Sequence, residues 1–527
     1  MVLNEMTASA QIGFPILTAM IFFPVFAALA LRLIGDEAMA RRAALAAAGF
    51  ELLLAVLLLV GFVPGTAAFQ YTERHLWIET IGASYHLGVD GISVMFIPLT
   101  ALVTLMVMLL GGNGTRFMSK AYLSNILILQ GVTMGIFASL DLILFYVFWE
   151  LALVPLYLLI KLWGVGLQRQ YASLKYIIYM LIGSAPLLVG IILLGIAYQN
   201  GAPPGTTFSF DLVTLMASPA PAHMQELVFF LMLAGFAIKG PLLPFHTWMP
   251  SALMHGPVGA GIFLVGLKLG TYGLLRFVLP LLPDASQNWY WLVVGAGLAS
   301  MVYAALIALV QQNLRRLLAF ASISHVGLVM VGLFSMNAVS IQGGLMMMVN
   351  MGLASTGLLF LTGVIYSRLG SSELSAMGGL ARQVPRLAFF FFLFGVASIG
   401  LPGTSGFHGE FLTLMGAFLR HWEVAAIGVI GVILSAGYFL WYYERAFFGP
   451  ISNRAVGSMR DLSGTETAVC SVVAALILAI GIYPTPVTNV SSASIAALVT
   501  RIEASVVNPP TPIAKAGPDA LTVGLRQ

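Results

Sequence analysis

The chain has 527 residues, 59% of them hydrophobic and only 8% charged, with a mean hydropathy of +0.97. Soluble domains carry about a quarter charged residues, so this composition excludes an ordinary soluble protein and implies a polytopic membrane protein. The net charge of +4 and isoelectric point near 9.1 fit basic loops facing an anionic leaflet; without a basic, aromatic-interleaved strip they do not imply nucleic acid.

The N-terminal stretch MVLNEMTASAQIG carries Glu5 where a secretory signal would carry basic residues, so the first apolar run is expected to be a retained helix. Apolar windows of spanning length follow one another near 14–34, 43–63, 91–111, 121–139, 141–160, 174–198 and 227–249. They continue near 252–279, 288–310, 318–335, 340–366, 387–419, 423–443 and 466–488. The expected fold is therefore all-α, with about fourteen transmembrane helices. Two connections are long, 64–90 and 199–226, and the second is rich in Pro, Gly and Ser. The lone cysteine, Cys470, excludes a disulfide within the chain and cannot by itself hold an iron–sulfur cluster or a Cys-rich zinc site.

Basic residues set the expected orientation. With the N-terminus outside, sixteen of the 24 fall on cytoplasmic connections, among them Arg41, Arg42, Arg116, Lys161, Arg169, Arg315 and Arg316. Six fall outside, including Arg276, Lys515 and Arg526. The positive-inside rule then favours both termini outside the cytoplasm. Two bases, Lys239 and Lys268, find no place in a loop.

Glu150, in FYVFWELALVP, and Glu410 are likewise inside apolar windows. Each charge at a helix centre costs roughly 2.5–3.5 kcal/mol on insertion scales, and such residues usually mark an ion pathway. The alternative is a buried structural ion pair between Glu150 and Lys239, which an apolar pair could often replace. Glu51, nearer the start of the second window, is open to a snorkelling role.

Two helices are expected to be broken. In GFAIKGPLLPFHTWMP, Lys239 directly precedes Gly240 and Pro241; in SIGLPGTSGFHGEF, a Gly-Pro interruption precedes Glu410. Proline removes backbone donors, and broken helices in corresponding halves of a membrane protein indicate a midplane ion site. His325, flanked by Ser322 and Ser324, is a candidate relay group, and His246, His255 and His408 accompany the breaks. The histidines lack i, i+3 or i, i+4 pairing, so neither a metal nor a haem is expected. With no GxGxxG after a strand, no P-loop and no nucleophile elbow, no cofactor and no redox chemistry are expected of this chain.

FWELALVPLYLLIKLWG, FAIKGPLLPFHTWMP, GLKLGTYGLLRF, ASISHVG and LPGTSGFHGEF together, in this order and spacing over about residues 80–450, resemble the antiporter-like subunit M (chain 4) family of proton-pumping NADH:quinone oxidoreductase, respiratory complex I. Mrp-type antiporters and energy-converting hydrogenases share much of the pattern.

The resemblance implies two inverted five-helix repeats with broken helices 7 and 12. It divides the chain into an N-terminal region and long loop (1–120), a first repeat (121–279), a second repeat (288–447) and a last helix with its tail (448–527). It implies a proton pathway in which Glu150 pairs with Lys239, Lys268 is the central relay, His325 continues the axis and Glu410 ends it. The glutamate at 410 agrees with subunit M, where related subunits have lysine.

A carboxylate and an ammonium ~6 Å apart attract by about 3 kcal/mol at an effective dielectric near 20, so separating them makes the ammonium readier to release its proton. The resemblance places the protein in a bacterial inner membrane, multi-pass, among neighbouring antiporter-like subunits, with NADH and quinone handled only by partner subunits. A membrane subunit of a paralogous complex, whether an Mrp-type antiporter, a hydrogenase or an inorganic-carbon uptake module, is the alternative.

The chain departs from the family pattern after HTWMP, where relatives usually show Asp-Ala-His before a Glu-Ala-Pro and this chain has Ser251, Leu253, His255 and Gly256, and at Asn350, where histidine is common. Asparagine can hold a water but stores no proton near neutral pH. His408, where valine is common, is a candidate to compensate, and His246 a further accessory.

Overall fold

The computed structural model describes residues 5–110, 119–203, 206–451 and 453–507. Arg116, Lys515 and Arg526, counted above for orientation, lie outside the described residues. Among those described, eleven helices are long and apolar enough to cross a membrane. Three shorter apolar helices, Ile16–Ala30, Phe96–Leu109 and Pro385–Ser398, stand at the first, third and twelfth expected windows.

Layering follows composition. The most apolar windows of Leu314–Phe334 and Ala338–Leu369 are entirely buried, and that of Val258–Leu281 nearly so. Glu37–Val60 and Gly464–Ile482 instead leave most of their apolar surface facing outward. Polar residues on the three inner helices therefore have no route to lipid and must find partners within the protein.

The long 64–90 connection is a hairpin, so the chain is mostly rather than wholly helical. Strand β1 (Glu5–Thr7) pairs parallel with β2 (Phe69–Ile78), which pairs antiparallel with β3 (Ala83–Val89). Strand β2 is buried over its first half, Phe69–Glu73, and exposed over its second, Arg74–Ile78. The turn at Gly82 demands glycine: φ is +67°, and a Cβ there would lie 1.9 Å from the Phe208 carbonyl oxygen.

This hairpin positions the helix that carries Glu150. Asp141 caps that helix through Ile143 N (2.9 Å) and Leu144 N (3.1 Å). The same carboxylate accepts from Ser84 N (2.9 Å) and Ser84 Oγ (3.0 Å) on β3. His86, also on β3, is hydrogen-bonded through Nδ1 to Asp211 at 2.5 Å. Hairpin, helix start and the 206–217 segment thus form one clasp.

Both expected breaks are present. The Ala222–Lys239 helix stops at Lys239, and the chain resumes as helix at Trp248–His255. The carbonyl of Ile238, left free by the break, accepts from the Trp248 indole at 2.8 Å. Pro385–Ser398 and Ser405–Arg420 are separated by a turn through Gly400, at φ +69°. A third break was not expected. The single window 252–279 divides between Val258–Gly266 and Leu269–Gly273, with Lys268 at the N-cap of the second piece.

Arg276, counted from sequence as an outside loop residue, is buried. Its guanidinium forms a two-point ion pair with Asp90 and donates to the Tyr272 hydroxyl at 3.2 Å. A charge count along the chain cannot see a loop carboxylate that follows an arginine inward.

Candidate functional site

Glu150 lies at the end of the Leu142–Leu151 helix, half-buried, with Oε1 enclosed and without a hydrogen-bond partner. Its expected partner, Lys239, points instead to the preceding residue. The ammonium donates to the Trp149 carbonyl at 3.1 Å and lies 3.6 Å from the centre of the Trp149 indole ring. Among the described residues, no ion pair within 4 Å joins Glu150 to Lys239. The carboxylate is nevertheless within electrostatic reach of the ammonium. Cation–π contacts of a desolvated cation are worth about 2 kcal/mol, comparable with the ion pair they replace here.

Lys239 and Lys268 line one cavity of about 30 Å³. Thr133, Tyr176, Trp248 and Thr271 share its wall with apolar neighbours. Lys268 is buried and donates to Ser322 Oγ at 2.7 Å. His325 follows Ser322 by three residues on the wholly buried Leu314–Phe334 helix, which places both on one face. Its Nε2 is enclosed without a partner, and the Lys268 charge reaches it. The structure thus brings Lys239, Lys268 and His325 into sequence around Ser322 and the cavity.

Glu410 is buried on the second turn of Ser405–Arg420. Its carboxylate packs against the break itself, since a Cβ on Gly400 would stand 2.0 Å from Oε2. The Tyr438 hydroxyl, buried and unpartnered, is within electrostatic reach of Glu410. Asn350 does not stand free in a path. It donates through Nδ2 to Ala397 O at 3.2 Å and accepts through Oδ1 from Ser405 Oγ at 2.7 Å. Those partners lie on opposite sides of the break.

The remaining candidates lie apart from this line. His246, on a short 3-10 turn, packs its ring against Tyr303 and Phe320, with centroids 5.4 Å and 6.4 Å away. His408 is half-buried, its ring beside Phe407. His255 sits at the opposite end of the second broken piece, beside Val165. Sequence reasoning missed Trp149 and Tyr176, and noted Ser322 only as a neighbour of His325. An aromatic or a hydroxyl in an apolar helix carries no signal until the facing helix is known.

Residues 139–435 match the family described as NADH:quinone oxidoreductase/Mrp antiporter, TM. The chain is 36% identical over 513 residues to the NADH-quinone oxidoreductase subunit M of Rhodobacter capsulatus, covering 93% of this chain and 98% of that one. It is 34% identical over 472 residues to the NADH-ubiquinone oxidoreductase chain 4 of Arabidopsis thaliana, covering 89% and 94%. A chain of respiratory complex I from Thermus thermophilus superposes with a TM-score of 0.84 at 29% identity, covering 92% of this chain and 99% of that one. A chain of the Mrp complex from Dietzia sp. DQ12-45-1b superposes with a TM-score of 0.76 at 22% identity, covering 93% and 99%, and shares the fold. With its identity to subunit M proteins running nearly end to end, the chain belongs to the NADH:quinone oxidoreductase/Mrp antiporter family of transmembrane proteins, as an antiporter-like subunit M.

Proposed function

We propose that the chain translocates protons as the M subunit of a respiratory NADH:quinone oxidoreductase, along Glu150, Lys239, Lys268, His325 and Glu410. The observation that carries this reading is that two lysines within apolar helices, the half-buried Lys239 and the buried Lys268, line one cavity. Two cations enclosed to this degree without a carboxylate in contact are poor structural elements. They are suited to holding one proton in turn, because like charges across a small cavity disfavour double occupancy.

In this reading Lys239 rests on Trp149 with its charge shared between the indole face and the Trp149 carbonyl. Approach of the Glu150 carboxylate retains the ammonium, and withdrawal releases a proton towards the amine of Lys268. Ser322 holds Lys268 beside His325, and the route ends at Glu410 against Gly400. Moving one charge against the membrane potential costs about 2.3 kcal/mol per 100 mV. That energy comes from the partner subunits, which also handle NADH and quinone. His246 and His408 stand outside the route.

The proposed topology is fourteen spans with inverted repeats at 121–279 and 288–447, flanked by 1–120 and 448–527. It is supported by the breaks after Lys239 and after Ser398, each beside an ionisable residue. Both termini face away from the cytoplasm in a bacterial inner membrane, in keeping with the bias of basic residues. The 36% identity to subunit M proteins favours this assembly over a paralogous antiporter or hydrogenase.

The test is Lys239→Met in the assembled complex. Quinone reduction continues and proton translocation falls; full translocation by a fully assembled variant overturns the route.

A further inference from the structure

Tyr176 belongs to the Arg169–Gly201 helix and is fully buried. Its hydroxyl is enclosed without a hydrogen-bond partner. A buried hydroxyl left unmet costs about 1–3 kcal/mol, so an apolar ring would serve packing better. The ring itself is well placed, edge-on to Trp248 with centroids 5.6 Å apart. Three observations place the hydroxyl rather than the ring at issue. Tyr176 lines the cavity shared by Lys239 and Lys268. Glu150 lies within its electrostatic reach. The cavity, at about 30 Å³, exceeds the ~10–15 Å³ that one water requires, and its wall supplies several polar partners.

We propose that the Tyr176 hydroxyl, with water in this cavity, is a proton-relay group joining the Glu150–Lys239 end of the site to Lys268. The inference rests on the proton route proposed above and adds a member to it. The transfer balances without a change in the tyrosine. Oη accepts a proton arriving from the Lys239 ammonium, directly or through water, while its own proton leaves through water to the neutral amine of Lys268. Lys239 ends as the amine, Lys268 as the ammonium, and the O–H bond is broken and re-formed once. Thr271 and Thr133 are the neighbouring hydroxyls on the same wall, but each is engaged as a donor. Thr271 Oγ1 donates to Lys268 O at 3.0 Å and Thr133 Oγ1 to Leu129 O at 2.6 Å. Tyr176 is left to carry the link.

The test is Tyr176→Phe in the assembled complex in proteoliposomes, beside Lys239→Met in the same background. Tyr176→Phe keeps the ring against Trp248. Expected are normal assembly, a fall on the order of 10²-fold in the rate of proton translocation, and a changed solvent isotope effect on translocation. A merely structural ring would move neither. Wild-type translocation in Tyr176→Phe with loss in Lys239→Met overturns the inference and leaves the route standing. Wild-type translocation in both overturns the route itself. Should Tyr176→Phe fail to assemble, Tyr176→His and Tyr176→Leu decide: recovery only with the protonatable histidine supports the relay, and equal translocation in both overturns it.

Discussion

The Lys239 ammonium sits over the indole of Trp149, 3.6 Å from the ring centre, rather than against the carboxylate of Glu150 beside it. The indole is fixed in turn by Phe236, edge-on with centroids 5.3 Å apart, one turn before the lysine on the same helix. Lysine and ring are therefore held as a unit, and the ring competes with Glu150 for the cation. A double-mutant cycle of Trp149→Leu and Lys239→Met measures that competition. Thermal unfolding of the assembled complex is expected to yield a coupling energy of about 1–2 kcal/mol between the two sites. Additive effects would mean that the ring packs beside the lysine without stabilising its charge.

The clasp that holds the Glu150 helix to the hairpin is predicted to weaken in acid. Burial works against the Asp211 carboxylate, but the hydrogen bond and charge of His86, with the Thr214 hydroxyl and amide, outweigh it and hold the carboxyl below its usual range. A carboxyl with a depressed folded value contributes stability that is present above the ordinary value of about 3.9 and is lost as pH falls through the folded one. Asp211→Asn is thus expected to lower the thermal midpoint at pH 7, and the gap from wild type is expected to close only below about pH 4. Midpoints recorded across that range in detergent check this. A gap already closed at pH 6 would assign the stabilisation to some other group.

Much of this architecture is legible in the order of residues, and the reasons are physical. Lys239 and Glu410 stand out because charges inside apolar windows are rare, and Gly240, Pro241 and Pro402 announce broken backbone beside them. The break at Lys268 is not announced: GIFLVGLKLG lacks proline, and its Gly266 and Gly270 are ordinary in a membrane helix. Gly270 matters through its neighbour, since a Cβ there would lie 2.5 Å from Gly240 N, and that closeness exists only once the two helices meet. The same holds for Arg276. Its partner Asp90 is 186 residues away, so nothing local distinguishes it from a loop arginine.

Asn350 illustrates how a departure from a family pattern changes meaning once its surroundings are known. As a residue that cannot store a proton, it reads as a gap in a relay. In the fold it joins Ala397, at the end of one half of the broken helix, to Ser405, the first residue of the other half. A Cβ on Gly406 would come within 3.0 Å of its Nδ2, so the next turn closes down on the amide as well. Both hydrogen bonds are buried, and both reach across a turn whose Gly400 supports the Glu410 carboxylate. Asn350→Leu keeps the branched outline with bulkier ends and leaves a carbonyl and a hydroxyl unmet, at about 1–3 kcal/mol each. The expected outcome is a lower thermal midpoint of the assembled complex, with translocation lost in proportion to the protein that unfolds or fails to assemble. Asn350→Gln, which keeps both polar atoms but adds a methylene to a tight site, is expected to fall between wild type and leucine. Loss of translocation at an unchanged midpoint would move Asn350 from the clamp into the proton route.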